Sequence, residues 1–324
     1  MATENNKSSW WRRCCEPRLH NFFIIEFSWR CLGFSHSRST DFTESQWVWM
    51  KPSLFTIYRV LLALGMLIWI SFDIPRETHH YFGDRTYIWF VYATNWTFGL
   101  LVLVFFLLAV QCLVYNCPKR ENVSVLLYQP IWLLYTVSVN GILVVCLVFW
   151  VALSSSELGV FANGWGRLKH SLSGILAILD LGVSAIPFRL IHVIYPILAG
   201  ILYSMFSYFF WLGDLTGPVA VGQVYPGLNW AHPRAAILAC LCVLLVSFLV
   251  HICLYVTYFL RVQLSACVNG RGHAAPCAMQ SKNGKYDQIE AADLGQQIEQ
   301  DLISVTSVST YAEMKQNHDY GTVE

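Results

Sequence analysis

The chain has 324 residues, 56% of them apolar or aromatic and 13% charged, about half the ~25% charged share of soluble domains. That composition excludes a disordered polar chain. The net charge of +1, with no basic stripe interleaved with aromatics, excludes nucleic-acid binding. Away from their ends, the long apolar runs hold only two charged residues, Arg59 and Asp180, the distribution of a multi-pass membrane protein.

Residues 1–51 read as a cytoplasmic tail. Met1 to Trp10 is polar and lacks an apolar core followed by a small-residue cleavage site, so the first span is expected to serve as the targeting signal. Cys14 and Cys15 stand beside Arg12 and Arg13. Two readings stay open for them: palmitoylated anchors, or reduced cytosolic thiols. Residues 19–34 are apolar and aromatic but broken by Glu26 and Arg30, a segment suited to lying in the membrane interface.

Six segments then meet the requirement of about 20 apolar residues for a hydrocarbon layer of ~30 Å: 54–72, 88–115, 126–153, 169–187, 190–212 and 234–261. Each is expected to be helical, because a lone segment in hydrocarbon must close its own backbone hydrogen bonds. The expected fold is therefore all-α, a six-span transmembrane helix bundle over residues 52–265. Lys7, Arg12, Arg13, Arg18, Arg30, Arg38 and Lys51, with Lys119, Arg120, Arg189, Arg261 and Arg271, outweigh Arg76, Arg85, Arg167, Lys169 and Arg234 on the other side. The excess of basic residues places both termini in the cytoplasm.

In that orientation all eleven cysteines lie in spans or on the inner side, so no disulfide is expected. Residues 266–324 read as a disordered, mildly acidic cytoplasmic tail. It carries a tyrosine-sorting pattern at Tyr286 to Ile289 that also arises by chance. Glycosylation at the Asn122 sequon would overturn this topology, because Asn122 falls on the cytoplasmic side.

Polar side chains inside hydrocarbon cost several kcal/mol unless paired, so each is a candidate site, with helix packing as the competing explanation. On span four, His170, Ser173, Ala177, Asp180 and Ser184 recur at steps of three and four and form one seam facing protein. Thr94 and Asn95 enter span two at a depth similar to His170. A hydroxyl within reach of an imidazole is the minimum for an activated oxygen nucleophile. The plainer reading has Thr94 bonded to its own helix and His170 interfacial. Asp180 lies ~15 Å along the helix from His170, too far to orient it, and needs a cation; Arg59 and Arg189 are the candidates, giving a structural pair. Arg189 and His192 open span five as intramembrane polar groups with a packing role.

No HExxH or CxxC spacing occurs, so no metal is expected. GxxxxGK[ST], GxGxxG and GxSxG runs are also missing, which counts against an ATPase, a Rossmann-type oxidoreductase or an α/β-hydrolase. No cofactor is expected.

The ordered set FFIIEFSWRCLGFSHSRSTDFTESQW (22–47), YATNWTF (92–98), HSLSGILAILDLGVSAIPFRLIHVIY (170–195) and VYPGLNW (224–230) resembles the rolling stone family of animal multi-pass membrane proteins, over about residues 22–265. The resemblance implies a role in myoblast fusion or other cell-surface membrane processes, because the family's named member is linked to myoblast fusion in fly embryos. The six-helix arrangement is more distantly similar to the androgen-induced membrane hydrolases of fatty-acid esters. That similarity implies Thr94 as nucleophile and His170 as base, with Asn95 helping to hold the oxyanion. Two expectations follow: a membrane protein acting at cell contact, or an intramembrane threonine/histidine lipid-ester hydrolase. Its partners are the lipid bilayer and either a lipid ester or a cell-surface protein, in the plasma membrane or the endoplasmic reticulum.

Overall fold

The computed structural model describes residues 31–36, 38–116, 127–154 and 163–268. Cys14, Cys15, the expected interfacial stretch before Cys31, Asn122, Tyr286 and the acidic tail lie outside the described residues. Six long helices follow one another: α1 (Pro52–Tyr81), α2 (Ala93–Tyr115), α3 (Tyr128–Val148), α4 (Gly164–Val183), α5 (Ile194–Leu212) and α6 (Pro233–Cys267). Short 3₁₀ turns at Thr86–Val91 and Leu190–Val193 lead into α2 and α5. A π-helical turn, Phe149–Leu153, extends α3. Among the described residues there are only isolated β-bridges, so the fold is all-α.

The helices are patterned inside out. On α1, Leu54, Ile57, Leu61, Leu64, Ile68 and Phe72 recur at three- and four-residue steps and are exposed, while Phe55, Arg59, Ala63, Met66, Asp73 and Glu77 are buried. On α6, Leu241, Leu245, Leu249, Val256, Leu260 and Leu264 face outward, while Ser247, His251, Arg261 and Ser265 are buried. A soluble helix hides its apolar stripe. Here the apolar stripe is the outer face, which only hydrocarbon solvates well, and the polar groups find partners inside.

Five helices are long and apolar enough to cross a membrane: α1, α2, α3, α5 and α6. That is one fewer than the sequence predicts. The expected span 169–187 is helical only to Val183 and begins at Gly164, so its twenty residues take in Arg167, Lys169 and Asp180. Those charges keep α4 out of the set. They are paired across to α1: Lys169 at the start of α4 reaches the carboxylates of Asp73 and Glu77 near the end of α1, and Asp180 near the end of α4 meets Arg59 near the start of α1. The two helices therefore run antiparallel, clasped at both ends.

α2 and α3 are the most buried of the five apolar helices. Phe98, Leu101, Val104, Phe105 and Leu108 of α2 and Trp132, Tyr135, Val139 and Ile142 of α3 make the centre of the core. Gly141 allows close approach here, since a Cβ at this position would stand 2.7 Å from the Thr97 methyl. α3 and α6 share a reciprocal pair: Asn140 Nδ2 donates to the Ser247 carbonyl at 3.0 Å, and Ser247 Oγ donates to Asn140 Oδ1 at 2.7 Å.

Between α4 and α5 the chain is extended over residues 184–189, and every backbone group it exposes needs a partner. Residues 31–36 and 38–50, a strap ahead of α1, supply many of them. The Gln46 amide donates to the Val183 carbonyl at 3.0 Å, and the Ala185 amide donates to the Glu44 carbonyl at 3.1 Å. Trp47 Nε1 donates to the Gly182 carbonyl at 2.9 Å. In return Arg189 donates to the carbonyls of Cys31 and Ser35 at 3.1 and 2.8 Å, and the Tyr195 hydroxyl donates to that of Leu32 at 2.7 Å. Phe34 packs between Trp132, His192 and Tyr195. Gln46 Nε2 also donates to Ser265 Oγ at 2.9 Å, so the start of the bundle and its end meet at the same pole.

Candidate functional site

At the opposite pole a buried charge cluster joins four elements. α1 does not stop where its apolar run ends. It continues through Pro75 to Tyr81, which places Asp73 and Glu77, four residues apart, on its inward face. α4 presents Lys169 and Trp165, also four apart. The 3₁₀ turn contributes Trp89 and α2 contributes Asn95.

Lys169 spends its three ammonium hydrogens inside this cluster. It donates to Asp73 Oδ2, to Glu77 Oε1 at 3.2 Å and to Asn95 Oδ1 at 2.5 Å. Asp73 is fully buried and takes two further donors, Trp89 Nε1 at 3.0 Å and Trp165 Nε1 at 2.8 Å. Asn95 Nδ2 donates to the Trp89 carbonyl at 2.7 Å and leans on Glu77 Oε2 at 3.4 Å. The Lys169 ammonium also lies 5.4 Å from the ring centroid of Trp89 and 5.2 Å from that of Phe98. Arg76 covers the outer side of Trp165, with its Cζ 4.6 Å from the ring centroid.

Such pairs are strong only when geometry and surrounding hydrogen bonds repay desolvation, and here each partner of Lys169 has further bonds. The cluster is an electrostatic clamp with an aromatic lining, containing two carboxylates and one ammonium. Among the described residues, no group of three or more histidines, cysteines and carboxylates could hold a metal.

The residues singled out from the sequence fall in four places. Asn95 belongs to this clamp, where both ends of its amide are occupied. Thr94, one residue earlier, is half-buried with its hydroxyl against Tyr225. The Tyr225 oxygen accepts from the Ala93 amide at 3.0 Å and so caps the start of α2. Burial pushes the Tyr225 phenol above its ordinary pKa, against the opposing pull of hydrogen bonds from Thr94, Tyr203 and the Ala93 amide, so it is neutral at physiological pH. His170 lies flat on Phe149 of the π-helical turn, with ring centroids 3.9 Å apart and planes 9° from parallel. Its Nδ1 has no hydrogen-bond partner. Among the described residues no hydrogen bond joins Thr94 to His170.

The other intramembrane polar groups gather at the strap pole. Arg59 NH1 donates to Asp180 Oδ1 at 2.6 Å, with both side chains fully buried, and the Tyr58 hydroxyl donates to the same oxygen at 2.9 Å. Arg189 turns to the strap carbonyls instead, and His192 Nε2 meets the Cys31 carbonyl at 3.1 Å.

The clamp itself escaped sequence reasoning. Asp73 and Glu77 sit just past the first apolar run and Lys169 at the very edge of the fourth, where a charge reads as flanking the span. The available signal was periodic: two carboxylates at i and i+4 directly after one span, and a lysine one residue before the polar seam of another.

The family model described as "Protein rolling stone" matches residues 19–274. The chain belongs to the rolling stone family. A relative, Protein rolling stone of Drosophila melanogaster, is 24% identical over 249 residues, covering 73% of this chain and 87% of that protein. No solved structure matches. The rolling stone match takes in the strap, all six helices and the clamp.

Proposed function

We propose that this rolling stone family member works at the cell surface, in the joining of one cell's membrane to another's, as in myoblast fusion. Its medium is the bilayer, its location the plasma membrane and its partner a cell-surface protein. Both tails lie in the cytoplasm, where the basic residues flanking the strap pole hold them. The supporting observation is the family match over residues 19–274, which spans the whole helical unit. The lipid-ester hydrolase reading has no hydrogen bond between Thr94 and His170 behind it.

The test is a fusion assay in cultured myoblasts depleted of the protein. The wild-type chain restores multinucleate cells, and Thr94→Ala and His170→Ala restore them equally. Lys169→Met fails, because it leaves Asp73 and Glu77 as uncompensated buried charges. Unchanged fusion after depletion overturns the proposal. Fluorophosphonate labelling of the wild type that disappears in Thr94→Ala and His170→Ala replaces it with the hydrolase.

A further inference from the structure

The strap ends in a turn of unusual composition. The Met50 amide donates to the Trp47 carbonyl at 3.1 Å, which closes residues 47–50 into a turn with Val48 and Trp49 at its two central positions. Turns in water are built mostly from glycine, proline, asparagine, aspartate and serine. Here the tip is a branched aliphatic side chain and an indole, 64% and 71% exposed. Both feet of the turn are fixed. Trp47 Nε1 donates to the Gly182 carbonyl at the end of α4, and the Trp47 amide donates at 3.1 Å to Ser45 Oγ, which itself donates to the Val183 carbonyl at 2.8 Å. On the other side the chain enters α1 at once, with the Phe55 amide donating to the Lys51 carbonyl at 3.0 Å.

The neighbours of this prong indicate what its tip meets. Residues 51–54 are exposed, and Leu54 opens the outward apolar stripe of α1 that runs through Ile57 and Leu61 to Phe72. Trp49 therefore stands five residues ahead of a lipid-facing stripe, where hydrocarbon gives way to headgroups. Tryptophan is the residue that concentrates at that boundary. Lys51, between the tip and the stripe, is exposed, and among the described residues it has no ion pair. An exposed ammonium at that depth complements a lipid phosphate. The patch is two apolar side chains and one cation, well short of the ~800 Å² that a stable protein contact takes from each partner. It is wide enough for one headgroup and the first methylenes of its chains.

We propose that Val48, Trp49 and Lys51 form a membrane-inserted prong at the strap pole that binds an anionic phospholipid, the apolar side chains entering beneath the headgroups and the ammonium receiving the phosphate. In the orientation proposed above this is the cytoplasmic leaflet, which carries anionic lipid. Through its feet on Gly182 and Val183, the bound prong also steadies the strap over the extended chain of residues 184–189. The test uses the full chain in lipid nanodiscs holding one copy each, of phosphatidylcholine alone or with phosphatidylserine. Both faces of such a disc present the same lipid, so the outcome does not depend on the orientation. Hydroxyl-radical footprinting read by peptide mass spectrometry modifies Trp49 several-fold less in discs than in the unfolded chain. Modification equal to that of the unfolded chain puts the tip in water and overturns the proposal, as does protection found only in discs with two copies, the sign of a contact between copies. Phosphatidylserine raises the thermal unfolding midpoint, and Lys51→Gln, which alters neither foot, abolishes that rise and leaves the phosphatidylcholine midpoint unchanged. A rise of the same size in the variant, or none in the wild type, overturns the proposal too. Val48→Ser/Trp49→Ser speeds amide exchange over residues 44–47 and 183–185 in discs, and unchanged exchange there overturns the link from lipid to strap.

Discussion

The Arg59–Asp180 pair shows what a single buried charge demands. Both side chains are fully buried, and the 2.6 Å contact is reinforced by the Tyr58 hydroxyl. Removing one partner leaves the other charged in a low-dielectric interior, a loss of about 3–5 kcal/mol. Replacing both with apolar groups of similar size costs far less. We therefore expect Arg59→Leu to lower the unfolding midpoint in detergent strongly, and the double variant Arg59→Leu/Asp180→Leu to recover most of that loss. A double variant as unstable as the single one would show that the pair does not act as a unit. Arg59 and Asp180 were legible as intramembrane polar residues because they interrupt apolar runs. Lys169 was not, since its meaning comes from Asp73 and Glu77, more than ninety positions away in the chain, and no local pattern carries that pairing.

At the scale of elements, the sequence predicts helices well and their ends less well. The first span was expected over 54–72, yet α1 runs from Pro52 to Tyr81, because its last carboxylates find an ammonium, two indoles and an amide to receive them. The span expected over 169–187 ends early for the converse reason: after Val183 the strap and the indole of Trp132 offer partners to an extended backbone, with Trp132 Nε1 donating to the Pro187 carbonyl at 2.7 Å. Residues 31–34, the end of the expected interfacial segment, are held against the bundle by Arg189, His192 and Tyr195. Arg189→Gln removes the charge that gathers the Cys31 and Ser35 carbonyls. Its expected effect is faster amide hydrogen exchange across residues 31–36 and 184–189, with the amides in the middle of α2 and α3 unchanged. Uniform loss of protection through every helix would instead mark a global role for Arg189.

For the whole molecule, topology rests on two independent features. The Gln46–Ser265 contact puts the residues before α1 and those ending α6 at one pole, and the basic residues around that pole favour the cytoplasm. Epitope tags at the two ends should therefore be silent in intact cells and both become accessible after selective permeabilisation of the plasma membrane. One tag exposed on intact cells and the other hidden would require the strap and the end of α6 to part. The fold class was readable from apolar run length because the bilayer sets that length. The number of apolar spans was not, because the run 169–187 is only part of α4, whose twenty residues start at Gly164 and take in Arg167 as well as Lys169 and Asp180.

The charges of α4 also have a consequence for biogenesis. A helix carrying Arg167, Lys169 and Asp180 is a poor passenger for a translocon, which sorts segments one at a time by their affinity for lipid. α1 is made first and presents Arg59, Asp73 and Glu77 as matching poles. The order in which the ribosome delivers these helices thus has chemical meaning: the early helix is the template on which the late one settles, and moving α4 ahead of α1 in the gene would strand it without a host.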